Sequence, residues 1–130
     1  MKILTVSDEV CDALWEYYTP GKLKEYDLII SCGDLKPAYL EFLVTMAHCP
    51  VLYVCGNHDS RYEMHPPEGC ICIEDRVYDY HGLRILGLGG SMRYKPGNHQ
   101  YTEWEMRKRL VKLLPKVFFK GGFDILVAHS

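Results

Sequence analysis

No apolar run in this 130-residue chain is long enough to cross a bilayer, and no leader with a charged start and an apolar middle precedes the first extended stretch. Met1-Lys2-Ile3 enters that stretch directly, so a cytoplasmic location without membrane contact is expected. The six cysteines include no Cys-x-x-Cys pair, which argues against a zinc ribbon or a thioredoxin-type motif. Cys32 and Cys55 close apolar runs, and Cys70 and Cys72 alternate along another. Thiols in such places behave as small hydrophobes. Excess positive charge is lacking too: 15 basic against 17 acidic residues give a net charge of −2 and no strong footprint for nucleic acid. Arg107-Lys108-Arg109 lies close to Glu103 and Glu105, and a solvated mixed-charge helix face is expected there. Repeats, low-complexity tracts and linkers are absent. With 48% apolar and 25% charged residues, residues 1–130 fit one globular domain with a core.

What is present is a repeated layout: an apolar run that ends in a residue able to hold a metal or a proton. Val51-Leu52-Tyr53-Val54-Cys55 runs into Gly56-Asn57-His58-Asp59. Tyr26 to Cys32 runs into Gly33-Asp34, Lys2 to Val6 into Ser7-Asp8, and Asp124 to Ala128 into His129. Open α/β sheets place their active sites at the carboxyl ends of strands. Amide oxygen, carboxylate and imidazole suit hard or borderline cations and proton transfer. Taken singly, each has a plainer reading. Asp34 and Asp59 suit turns, Asn57 suits a left-handed turn position, and His58 suits a satisfied surface site. At the ends of four runs together, the site reading is the stronger.

Helices are expected between these runs. Thr19-Pro20 suits the start of a short one, and Pro37 starts a second with Leu40, Leu43, Val44 and Ala47 on its core face. His48 and Cys49 close the second helix before Pro50. Segment 70–90 reads as hairpin-forming β, with His81-Gly82 as a tight turn. Thr102-Glu103-Trp104-Glu105 is a capping box opening a helix whose core face is expected at Met106, Leu110, Leu113, Leu114 and Val117. Pro115 is expected to kink or end it, and Gly121-Gly122 to break it. Parallel and antiparallel strands under helices give an α/β protein with two sheets.

Gly33-Asp34, Gly56-Asn57-His58-Asp59, the lone His129 and Asp8, in that chain arrangement, resemble the calcineurin-like metallophosphoesterases. The resemblance covers most of the chain and is most specific through Gly56-Asn57-His58-Asp59. It departs at Val10, where the family has the histidine of Asp-x-His, and no Gly-His-x-His motif follows His129. The resemblance implies a four-layer α/β/β/α sandwich with mixed sheets, lacking its last strands here, so that residues 1–130 read as a C-terminally truncated domain. It implies two divalent metal ions (manganese, iron, zinc, nickel or magnesium), with Asp34 bridging, Asp8 on the first ion, and Asn57 and His129 on the second. His58 then serves as acid or charge stabiliser beside the leaving oxygen, and Asp59 orients it. The implied reaction is hydrolysis of a small phosphomonoester or phosphodiester by a water-derived nucleophile held between the ions.

Arg93, Arg61 and His99 are candidates for contacting a substrate phosphate, with His65 beside Arg61. Two other classes compete: a non-catalytic binding or scaffold module on the same fold, which Val10 favours, and a nucleotide-binding α/β module using Gly87-Leu88-Gly89-Gly90. No helix opens directly after that loop, so close backbone packing is its plainer explanation.

Overall fold

A computed structural model of the chain describes residues 1–7, 9, 21, 23–33, 35–55, 66–89, 91–92 and 100–129. Among these, β1 (Ile3–Val6), β2 (Leu28–Ser31), β3 (Val51–Tyr53) and β4 (Ile71–Cys72) form a parallel sheet in the order β1-β2-β3-β4. A second sheet has the order β5-β6-β9, from β5 (Val77–Tyr80), β6 (Leu83–Leu88) and β9 (Ile125–Ala128). There β5 and β6 are antiparallel, while β6 and β9 are parallel. A two-stranded ribbon pairs β7 (Ser91–Met92) with β8 (Gln100–Tyr101). The protein is thus a mixed α/β structure with two main sheets, as its sequence pattern leads one to expect.

Helix α1 (Pro37–Ala47) starts with proline in its first turn, where the missing N–H costs nothing, and ends at His48 in the left-handed region (φ 57°). Its Tyr39, Leu40, Leu43 and Ala47 pack with Ile29, Val51 and Tyr53 of the first sheet. Strand side chains alternate, so Leu28, Ile30 and Leu52 point to the sheet's other face. There they meet Ile85 of β6, Val127 of β9 and Ile73, and the two sheets bury a common core.

The capping box is formed: Glu105 N–H donates to Thr102 Oγ1 (3.1 Å), and Thr102 N–H donates to Glu105 Oε1 (3.3 Å). The helix it opens, α2 (Glu103–Phe119), lies against the second sheet through Leu113, which packs with Val77 and Leu86.

Four expectations are corrected. Ile71–Cys72 does not join a hairpin with its successors; it pairs in parallel with β3 and extends the first sheet. The hairpin is β5–β6 alone, turning at His81-Gly82 with both φ values positive (51° and 88°), the geometry such tight turns demand. Of the kink or end expected at Pro115, the end is not found: helix α2 runs on to Phe119. The carbonyl four residues earlier belongs to exposed Val111, so water can satisfy it. Leu110 and Leu114 are 42% and 64% exposed, so the buried stripe is narrower than the apolar one. Among the described residues the sheet beneath has three strands, too few to cover both. Finally, Arg109 is not solvated: its side chain is 9% exposed. Arg107, paired with Glu103 at 2.8 Å, does lie on the solvated face. Along the open flank, Leu110, Leu114, Phe123 and Leu126 line an apolar groove of about 330 Å³. Among the described residues no helix is long and apolar enough to cross a membrane.

Candidate functional site

Of the sequence-derived site residues, His129 is described; Asp8, Asp34, Asn57, His58, Asp59, Arg61, Arg93 and His99 lie outside the described residues, as do Val10, His65 and the Thr19-Pro20 helix start. The described neighbours of several of them can be followed. His129 directly follows β9, in the second sheet, and its Nδ1 lies 2.9 Å from the carbonyl oxygen of Cys32, at the end of β2 in the first. A carbonyl only accepts, so this contact puts a proton on Nδ1. A histidine whose Nδ1–H is held by a backbone carbonyl has the arrangement common among metal ligands.

The other strand ends gather at the same edge. Ser7, after β1, donates its hydroxyl to the carbonyl of Gly33, after β2, at 3.5 Å. Val54 N–H, after β3, donates to Ser31 O at 3.1 Å. Gly89, just past β6, lies against Cys55: a Cβ built on Gly89 would sit 2.5 Å from Cys55 O and 2.3 Å from Glu74 Oε1. The ends of β1, β2, β3, β6 and β9 are therefore linked by direct contacts. At the opposite end of the sheets, the Tyr80 hydroxyl donates to Asp27 O at 3.0 Å, so the two layers are pinned at both ends.

Gly87 and Gly89 are glycines because backbone fills the space a side chain would need. A Cβ on Gly87 would lie 2.2 Å from Ile73 O. Those positions are occupied by packing, which weighs against their cradling a nucleotide phosphate; Gly90 lies outside the described residues. Two of the thiols, Cys70 and Cys49, are poor ligand candidates. Burial, with help from Glu41, pushes the Cys70 thiol up to about 12, and burial followed by Asp27 raises Cys49. A protonated thiol is neither nucleophile nor ligand. Burial likewise raises the Tyr53 phenol, with Cys72 and Cys55 beside it. Among the described residues no three His, Cys, Asp or Glu side chains group closely enough to hold a metal ion.

One buried charge cluster was not legible in the sequence. Arg109 Nε donates to Asp75 Oδ1 at 2.6 Å and Nη1 to Gly89 O at 2.6 Å, while Nη2 lies 3.7 Å from Glu74 Oε1. Its charged neighbours Arg107 and Lys108 disguise it. The available signal is its spacing from Leu113 and Glu105, which places it on the helix's inward stripe.

No family model matches the chain, and no curated protein matches it. Among solved structures, the chain is similar to the crystal structure of the protein of unknown function AQ665 from Aquifex aeolicus. Identity is 19% and the TM-score 0.43, over 95% of this chain and 75% of that one. A likeness that slight carries no argument about function.

Proposed function

We propose that this chain is a metal-dependent phosphoesterase of the calcineurin-like kind, acting on a small phosphomonoester or phosphodiester. The observation that carries the proposal is the 2.9 Å contact between His129 and Cys32. It brings the lone-histidine strand end to the strand end that precedes Gly33-Asp34, and it holds the imidazole through Nδ1, the nitrogen that metal-ligating histidines commonly give to a backbone carbonyl. The contacts of Ser7 with Gly33 and of Gly89 with Cys55 support the same convergence for the segments leading to Asp8 and to Gly56-Asn57-His58-Asp59. The three packed cores, between α1 and the first sheet, between the sheets, and between the second sheet and α2, support a four-layer α/β/β/α sandwich.

In this reading Asp8, Asp34, Asn57 and His129 hold divalent metal, with Asp34 shared between two positions because a carboxylate has two oxygens to give. When bound, such ions supply positive charge for phosphoryl oxygens and acidify water. His58 supplies a proton to the leaving oxygen or a charge against it, oriented by Asp59. Arg61, Arg93 and His99 bind the substrate phosphate. Valine offers no lone pair, so Val10 leaves the Asp8 position with fewer donors than the Asn57 and His129 position.

The test is manganese titration of the purified chain, followed by hydrolysis of a nitrophenyl phosphodiester. The expected result is one manganese held well, lost in His129→Ala and joined by a second in Val10→His. His58→Ala is expected to keep the metal and to lose about 10²–10⁴-fold in turnover, the usual worth of a general acid. A chain that holds manganese equally well as His129→Ala overturns the assignment. Metal binding without turnover in any variant points to the non-catalytic module instead.

A further inference from the structure

We propose that Arg109 is a positioning residue for this site: through Gly89 it fixes where the backbone at Cys55 ends and the segment Gly56-Asn57-His58-Asp59 begins. The inference rests on the phosphoesterase reading for its consequence, but its geometry stands on described residues alone.

The guanidinium is almost wholly shut from solvent and uses its planar fork on three partners from two segments. Asp75 and Glu74 belong to the connection between β4 and β5; Gly89 belongs to the end of β6. That connection is itself tied to β6, since Asp75 N–H donates to Gly87 O at 2.9 Å and Gly87 N–H to Arg76 O at 3.1 Å. Arg109 thus locks helix α2, the β4–β5 connection and the end of β6 into one unit. The unit ends on Gly89, whose Cα has no room for a side chain because the peptide of Cys55 and Glu74 Oε1 occupy that space. Any displacement of Gly89 toward Cys55 meets backbone, and any displacement away opens a gap beside it. The same glycine is followed by the segment that carries Arg93 and His99.

The chemistry argues that this cluster is there for position more than for stability. Desolvating an ion pair costs free energy that apolar residues of the same volume do not incur. Glu74 Oε1 is buried and has no hydrogen bond among the described residues, a further cost. Lysine would carry the same charge on a point donor and could not hold Asp75 and the Gly89 carbonyl together in one plane.

The experiment compares the wild-type chain with Arg109→Lys, with the double variant Arg109→Met and Glu74→Gln, and with Arg107→Lys as a control on the exposed face. Thermal unfolding reports folding, amide hydrogen exchange of Val54, Cys55 and residues 56–59 reports position, and manganese titration reports the site. Arg109→Lys and the double variant are expected to unfold cooperatively. Their exchange should rise at least tenfold at Val54 to Asp59 and stay unchanged in β1 and β2. Their manganese affinity should fall by about 10–100-fold, the usual effect of losing a group that supports metal ligands. Arg107→Lys is expected to change none of these. A folded Arg109→Lys chain whose exchange at Val54 to Asp59 matches the wild type overturns the proposal. If the wild-type chain binds no manganese, the phosphoesterase reading fails, and the exchange measurement still decides the role of Arg109. Should Arg109→Lys fail to fold, the double variant, which removes the charges in balance, gives the same decision.

Discussion

Leu110 and Leu113 sit three residues apart on α2, carry identical side chains and have opposite fates, which makes them a sharp test of how this helix lies. Leu113 is 4% exposed and packs with Val77 and Leu86. Truncation to alanine forfeits nearly the full transfer term and leaves a void, and such changes cost about 2–5 kcal/mol. The apolar groove runs alongside, with Leu113 on its wall, so the void would open to solvent and not be sealed. The cost for Leu113→Ala should therefore fall at the lower end, about 2–3 kcal/mol. Leu110 is already 42% exposed. It has roughly half of its transfer term left to lose and no closed cavity to create, so Leu110→Ala should cost about 1 kcal/mol. Urea unfolding followed by far-ultraviolet circular dichroism resolves that difference. If Leu110→Ala destabilises the chain as much as Leu113→Ala, the helix is rotated from the orientation described and the reasoning fails.

Three further outcomes are expected. Gly87→Ala should cost about 1–3 kcal/mol or more in the same assay, because its Cβ would meet the backbone of Ile73, which has no rotamer to escape by; an unchanged midpoint would refute this. Ser31→Ala should leave stability unchanged or raise it by about 1 kcal/mol, since the Ser31 hydroxyl is fully buried and has no hydrogen-bond partner among the described residues; a loss above that size would show a partner. The Asp124 carboxylate accepts from the Arg84 guanidinium (3.2 Å) and from the Arg84 backbone N–H (2.8 Å), which holds the carboxyl below its ordinary range. The folded state thus favours the carboxylate, so this pair's contribution is complete above about pH 4, the carboxyl's unfolded value, and is lost as pH falls through the lower folded value. Asp124→Asn should remove that acid-side dependence, and carboxyl titration by NMR should show the depressed midpoint; an ordinary midpoint would sink the assignment.

Much of the fold was legible because each signal had a local cause. Proline at 37, the capping box at Thr102 and the turn at His81-Gly82 all satisfy or constrain backbone groups within a few residues, and all three are found. The apolar runs were legible as strands because a strand buried on both faces needs an unbroken short apolar run, as in β2 and β3. What failed depended on partners distant in sequence. Ile71–Cys72 looks like any short β segment, and only the open edge of β3 decides that it pairs there in parallel. Periodicity placed Leu110 and Leu114 on a core face, but how wide a face is covered depends on the sheet beneath. Arg109 looked solvated because sequence shows a charge run and not the carboxylates waiting at Glu74 and Asp75. For the site, the motif order was visible throughout, and His129 is the residue whose surroundings can be read directly.

The contact between His129 and Cys32 spans 97 positions of chain, and that separation has a kinetic consequence. The first core can form early: β2, α1 and β3 are consecutive in sequence, and their facing residues are fully buried. Closing a long loop loses more entropy than closing a short one, and non-local pairings slow folding. The second sheet must then recruit β9 from beyond α2, and only when β9 docks does the imidazole reach the end of β2. A chain with the first core formed and β9 undocked would have no histidine at the strand ends. Recovery of far-ultraviolet ellipticity is expected to precede recovery of the His129 imidazole environment during refolding, because β9 is the last strand of the chain to join a sheet.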